Sequence, residues 1–241
     1  MITYNELVGL RDSFHPVFKP DLTPENTFIL DLSGKNGKIM ELPLDDTLGL
    51  ETHIRSEMEA LEALYAYGGY LEDREVYRRS KLFAGQGDHA RSIHLGIDVW
   101  APERTPFYLP FDGTVHSFQN NDTFGDYGPT IIMQHQINQK HFFTLYGHLS
   151  VDSLDGLEEG MPVMAGSELG RLGTPSENGN WPSHLHFQII TDMMGKRGDF
   201  PGVAFREELG TYKKLCPDPA VFFAGLFPNL HYSQKANKSL Y

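Results

Sequence analysis

Polar and apolar residues alternate along Ser183-His-Leu-His-Phe-Gln-Ile-Ile190, the period of a strand. In an extended chain successive side chains point to opposite faces, so His184, His186 and Gln188 share one face and Leu185, Phe187 and Ile189 the other. Similar short runs occur at 106–109, 113–118, 130–135 and 141–146, separated by Gly, Asn, Asp and Pro. Short strands at that spacing predict a mainly β domain. The N-terminal third reads differently. Thr3 and Glu6 can form a capping box for a helix over 3–13, which ends before Pro16. A strand over 27–32, an Asn36-Gly37 turn and a return strand over 38–42 predict a hairpin. Leu50, Ile54, Leu61 and Tyr65 carry helical spacing over 50–67, stopped by Gly68-Gly69. The charged run over 72–79 reads as a solvated face, and Asp218 with Pro219 as the start of a short helix. The polar end, 229–241, reads as frayed.

Composition narrows the partners. A chain of 241 residues with 40% hydrophobic and 22% charged residues can bury a substantial core. Its formal charge of −12 disfavours nucleic acid and anionic membrane surfaces. The one cysteine, Cys216, excludes an intramolecular disulfide and reads as a small apolar residue. No secretory leader is legible at the start, and no apolar run approaches the roughly 20 residues of a membrane span. A cytoplasmic location is the resulting expectation.

The chemistry lies in histidines. His94 and Asp98 are an even number of residues apart, so an extended segment puts them on one face with Gly96 between them. His184 and His186 likewise share a face, and a third element, Tyr146-Gly-His-Leu149, adds His148. Two histidines on the polar face of a strand have no packing role. A set such as His94, Asp98 and His186 leaves one tetrahedral position of Zn²⁺ open, as in catalytic zinc sites. The same residue types could hold Fe(II).

The three elements His94-Leu-Gly-Ile-Asp98, Tyr146-Gly-His-Leu149 and His184-Leu-His-Phe187 resemble, in order, the signature of the lysostaphin/LytM-type zinc metalloendopeptidases. Asp112-Gly113, Gly160-Met-Pro-Val163 and Gly170-Arg-Leu-Gly173 add matches, so the resemblance covers about residues 90–192. It implies a two-sheet barrel-like antiparallel sandwich, here with an N-terminal hairpin-plus-helix extension. It implies one Zn²⁺ held by His94, Asp98 and His186, with His148 and His184 flanking the metal-bound water. In those roles one imidazole serves as base and the other as oxyanion donor; His184 is the expected base and His148 the expected donor.

The expected organisation is an N-terminal α+β extension (1–82), a zinc hydrolase β domain (83–192) and a C-terminal extension (193–241). The expected function is a zinc metallopeptidase or amidohydrolase acting on a peptide or small amide-containing substrate. Two alternatives stand beside it. One is a small-metabolite hydrolase or lyase of amine or amino-acid metabolism, and the other a noncatalytic binding or regulatory module stabilised by zinc. The loops 120–129 and 173–183 are expected to rim the cleft, with Phe124, Tyr127 and Trp181 as walls and Asp126 or Glu177 facing a cationic group. His89 and Arg91 are placed near the site in a surface loop. His116, His135 and His141 read as ordinary strand residues facing solvent or a groove.

Overall fold

The computed structural model describes residues 2–42, 46–74, 77 and 90–227. The expectations for 229–241, for the loop carrying His89 and for most of the charged run after Arg74 lie outside the described residues. Strand content of 31% against 22% helical makes the chain mainly β.

The capping box forms as expected: the Thr3 hydroxyl accepts from the Glu6 amide and the Glu6 carboxylate from the Thr3 amide. The helix it starts is short, α1 (Tyr4–Val8). β1 (Thr27–Ile29) follows, and then the predicted hairpin fails. Asn36 accepts a hydrogen bond from the Lys38 amide and so caps a helix, α2 (Gly37–Glu41), where a return strand was expected. The following helix, α3 (Thr47–Ala60), starts on the Asp46 carboxylate and stops before Glu62, whose φ is +51°. Tyr65 and Tyr67 therefore lie beyond it, in β2 (Tyr65–Gly68), a strand buried on both faces. Helical spacing carried past Ala60 because tyrosines that serve a central strand happened to continue it.

Beyond β2 come β3 (Ile93–His94), β4 (Ile97–Trp100), β5 (Pro106–Tyr108), β6 (Gly113–Asn121), β7 (Gly128–Ile137), β8 (Lys140–Gly147), β9 (Pro162–Val163), β10 (Glu168–Arg171), β11 (His184–Ile190) and β12 (Val203–Ala204). Helix α4 (Leu209–Leu215) precedes a single helical turn at Pro219–Phe222, capped by Asp218 as expected. β7 and β8 join through Asn138 and Gln139, both at positive φ, the two-residue turn whose twist suits a hairpin.

One eight-stranded sheet runs in the order β1-β2-β4-β11-β8-β7-β6-β9. It is mixed, since β1 and β2 pair in parallel and the other pairs are antiparallel. It does not close into a barrel among the described residues; β10-β5 and β12-β3 form separate two-stranded ladders. The expected barrel-like sandwich is thus matched only in its mainly β character. The apolar face of β11 packs Leu185, Phe187 and Ile189 into the main core with Phe107, Tyr146, Phe222 and Phe223. Burying side chains of this size contributes about 1.5–3 kcal/mol each, which anchors the strand whose other face carries the histidines. A second cluster joins α2 and α3 to Trp100 and Trp181 through Ile39, Leu50 and Ile54. The N-terminal segment therefore packs against the edge of the histidine site.

Candidate metal centre and its pocket

Strand register brings the residues together. β11 lies between β4 and β8, pairing His186 with Asp98 on one side and with Gly147 on the other. Asp98 and His186 are thus cross-strand neighbours, while alternation keeps His184 on the same face. His94 arrives from β3, separated from β4 by Leu95 and Gly96. The expected continuous extended segment is broken there, and His94 pairs instead with Val203 of β12. Gly96 has a more specific role than leaving room for an ion. A Cβ at this position would stand 2.7 Å from Cε1 and Nε2 of His186. The His186 imidazole occupies the space that a side chain would need.

Hydrogen bonds fix which nitrogens carry protons. His94 Nδ1 lies 3.0 Å from the Gly69 carbonyl, which can only accept, so Nδ1 holds the proton and Nε2 presents a lone pair. Gln188 donates through Nε2 to the Pro201 carbonyl, so its Oε1 faces His186 Nε2, 3.0 Å away. That oxygen assigns the proton to Nε2 and leaves Nδ1 bare. His94 Nε2, His186 Nδ1 and Asp98 Oδ1 then meet at 3.0, 3.0 and 3.3 Å. Three electron-rich acceptors converge without a proton among them, an arrangement that calls for a cation. With metal–ligand bonds of about 2.0–2.1 Å, tetrahedral zinc separates its ligand atoms by about 3.3 Å. The triad fits, and it could hold a metal ion.

Two further imidazoles stand beside it. His184 Nδ1 is 2.7 Å from the Pro182 carbonyl, and His148 Nδ1 is 2.9 Å from the Asn178 carbonyl. Each again leaves Nε2 as the free, unprotonated nitrogen. The two rings are 4.2 Å apart, and His184 Nε2 is 3.8 Å from Asp98 Oδ1. His148 adopts φ +63° at the end of β8, a left-handed conformation that costs energy for a residue with a Cβ. Its amide donates to the Tyr127 carbonyl and its carbonyl accepts from Gly173, which hold it there. Asn178 is fully buried and ties the 173–183 loop together through Trp181. Trp100 stacks on His184 with ring centroids 5.2 Å apart.

Burial, helped by the charge of Arg74, pushes His94 down to about 4. Burial alone would raise the Asp98 carboxyl, but His94, Arg74 and His184 hold it well below the usual carboxylate range. His148 is driven well below an ordinary imidazole by burial and then by His184. Burial also lowers His184, against the opposing pull of Asp98. At neutral pH these rings are neutral and Asp98 is ionised.

A cavity of about 220 Å³ opens onto Asp98, His148, His184 and His186. Tyr127, Trp181 and Asp126 line it as expected, and Arg91, placed in a surface loop, lines it too. Phe124 does not; it is 48% exposed and outside the lining. Glu177 is also elsewhere, bound to Arg104 through both oxygens and to Thr174. His135 departs from its expected exposure: it is buried, with Nδ1 on the Asp112 carbonyl and Nε2 on the Thr144 hydroxyl. His116 is half-buried and His141 exposed, as strand residues at the rim should be.

Sequence reasoning missed several groups here. Arg74, read as part of a solvated face, is fully buried and bonded to Asp98. Tyr77 and Trp100 line the cavity beside it. Nothing in the pattern of the 72–79 run distinguishes Arg74 from Arg78 or Arg79.

Residues 92–198 match the family model for peptidase family M23. The match covers a little under half of the chain and nearly coincides with the resemblance drawn from the motifs. Similar solved structures include Csd3 of Helicobacter pylori, at 25% identity over 46% of this chain and 26% of that one, with a TM-score of 0.32. A zinc-containing peptidase from Vibrio cholerae shares 21% identity over 46% of this chain and 34% of that one, with a TM-score of 0.33. The catalytic domain of lysostaphin from Staphylococcus simulans shares 20% over 51% and 80%, with a TM-score of 0.34. The match thus spans only about a quarter to a third of the first two proteins. No curated protein matches by sequence. No described helix is long and apolar enough to cross a membrane.

Proposed function

We propose that this chain is a zinc-dependent peptidase or amidohydrolase that cleaves an amide bond in a peptide or a small amide-containing substrate. The observation that carries this reading is the proton-free convergence of His94 Nε2, Asp98 Oδ1 and His186 Nδ1, beside two imidazoles that also present bare Nε2 atoms. These three atoms would hold the ion. A bound Zn²⁺ supplies Lewis acidity and lowers the pKa of a water from about 15.7 to about 7.

The chain's own residues do the proton work. His184 Nε2 takes a proton from the attacking water and returns it to the leaving amine. Asp98, 3.8 Å away, and the face of Trp100 both favour the imidazolium that forms. The Pro182 carbonyl keeps the ring from turning. His148 is assigned the oxyanion-donor role; its Nδ1–H is held by the Asn178 carbonyl, so a donating Nε2–H requires uptake of a proton from solvent, against the burial that lowers its basicity. Aromatic walls from Tyr127 and Trp181 limit solvent around these groups.

A small substrate is the second reading, favoured by a cavity of about 220 Å³ into which Leu32 and Leu50 of the N-terminal segment project. Metal analysis of wild type, Asp98→Ala and His184→Ala, with a panel of peptides and N-acyl amino acids, tests the proposal. Near-stoichiometric zinc lost in Asp98→Ala but kept in His184→Ala, with cleavage lost in both, is expected. A wild-type protein without stoichiometric metal would overturn it.

A further inference from the structure

Asp98 has two oxygens with different neighbours. Oδ1 faces the imidazoles of His94 and His186. Oδ2 accepts from Arg74 Nη1. Arg74 is fully buried, and its other contacts show that it is held in place rather than drawn in by Asp98 alone. Its Nε donates to Glu72 Oε2 at 2.6 Å, and Nη1 also reaches the Tyr77 hydroxyl at 3.1 Å. Glu72 is itself anchored, its Oε1 accepting from the Leu32 amide at 3.0 Å. The Arg74 amide donates to the Ser92 carbonyl and the His94 amide to the Glu72 carbonyl, which fastens this segment to the strand bearing His94. A Cβ at residue 68 would stand 2.7 Å from Arg74 Nη2 and from the Trp100 ring, so Gly68 leaves the space the guanidinium fills. The chain has built a slot for one arginine against one carboxylate oxygen.

Resting on the zinc reading above, we propose that Arg74 is a positioning residue for the metal centre. It occupies Oδ2 so that Asp98 offers the ion a single oxygen, Oδ1, and cannot grip it with both. Glu72 offsets the charge of Arg74, so the arginine orients the carboxylate without adding a net repulsion to an incoming cation. Groups that orient a metal ligand typically change metal affinity 10–100-fold when removed. Arg74 belongs to the N-terminal segment outside the 92–198 family match, so that segment supplies part of the centre's architecture.

The test measures metal binding in the full chain, apart from turnover. Zinc affinity by chelator competition is compared for wild type, Arg74→Met and Arg74→Lys, with the visible absorption of the Co²⁺-loaded proteins alongside. Arg74→Met is expected to lose 10–100-fold in zinc affinity. Its cobalt band should weaken, because four-coordinate Co²⁺ absorbs more strongly than the five-coordinate ion a two-oxygen Asp98 would give. Arg74→Lys, which keeps a donor and the charge, should recover most of both. Removing Arg74 leaves two buried carboxylates without their cation, so the double variant Arg74→Met with Glu72→Gln is measured as well; far-ultraviolet circular dichroism checks each fold. The double variant is expected to show the same loss. Wild-type affinity and an unchanged cobalt band in a folded Arg74→Met or double variant would overturn the proposal for Arg74 while leaving the zinc reading intact. Failure of the wild type itself to bind zinc would remove both.

Discussion

Among the described residues the buried histidines fall into a cluster of four, His94, His148, His184 and His186, and one that stands apart from it, His135. His135 lies in the core with its ring stacked on Phe142. Both its nitrogens are partnered, one by the Asp112 carbonyl and one by the Thr144 hydroxyl, which in turn meets the Tyr146 hydroxyl. Burial pushes it down to about 4, the same value as His94. By burial and basicity the two are indistinguishable. They differ in what faces the unprotonated nitrogen. In His135 that nitrogen meets one neutral hydroxyl, whose single proton is shared with Tyr146; in His94 it meets another lone pair and a carboxylate. An accounting of donors and acceptors separates a satisfied core histidine from a candidate ligand, and burial alone does not.

Asp98→Ala should separate the cluster from His135 most clearly. It removes one acceptor of the triad and the Oδ2 partner of Arg74, so metal content should vanish. The apoprotein should lose about 3–5 kcal/mol, the usual cost of breaking a buried ion pair from one side. Metal analysis and urea unfolding read the two effects separately. His135→Asn, by contrast, should keep its full metal content.

Next in size are His184→Ala and His148→Ala. Each should keep the metal and lose about 10²–10⁴-fold in turnover, the range expected for a general acid–base group. His135→Asn should leave turnover per folded molecule unchanged. Equal losses in all three variants would show that the distinction between the two groups is wrong.

Acid should expose what the groups share. The folded-state pKa of His135, about 4, is depressed relative to about 6.5 in the unfolded chain. Between these values the unfolded chain binds the additional proton, so stability is full above about pH 6.5 and falls as pH drops toward 4. For one such group the loss is about 3 kcal/mol. Metal-free His135→Asn should show a flatter urea midpoint between pH 7 and pH 4.5 than metal-free wild type.

The smallest expected effect is that of Tyr127→Phe. The Tyr127 hydroxyl is 3.4 Å from His186 Nε2, which already donates to Gln188. Its removal should cost at most about 1 kcal/mol, less than tenfold in zinc affinity by chelator competition. A larger loss would mean that Tyr127, and not Gln188, sets the tautomer of His186.

Much of the centre was legible in the chain because its residues obey local periods. Alternation along β11 put His184, His186 and Gln188 on one face, and the short strands around it were placed nearly as they stand. The motif order then grouped His94, Asp98 and His148 with them. The N-terminal segment was less legible, because its local signals each had two uses. Asn36-Gly37 suits a hairpin turn or a helix cap, and Tyr65 and Tyr67 fit a helix period or a buried strand. Contacts with β1, β4 and the tryptophans made those choices.

Which side chains share a face follows from the chain alone, since the period of a strand is a property of the backbone and needs no partner. Packing set which nitrogen of each imidazole carries the proton, what faces His135, and that Arg74 reaches Asp98. Those outcomes depend on carbonyls, hydroxyls and carboxylates far away in sequence, such as Gly69 for His94, Asn178 for His148 and Glu72 for Arg74's hold on Asp98. A hydrogen bond has a short reach and a fixed direction, so no spacing along the chain can announce one until packing has closed the distance.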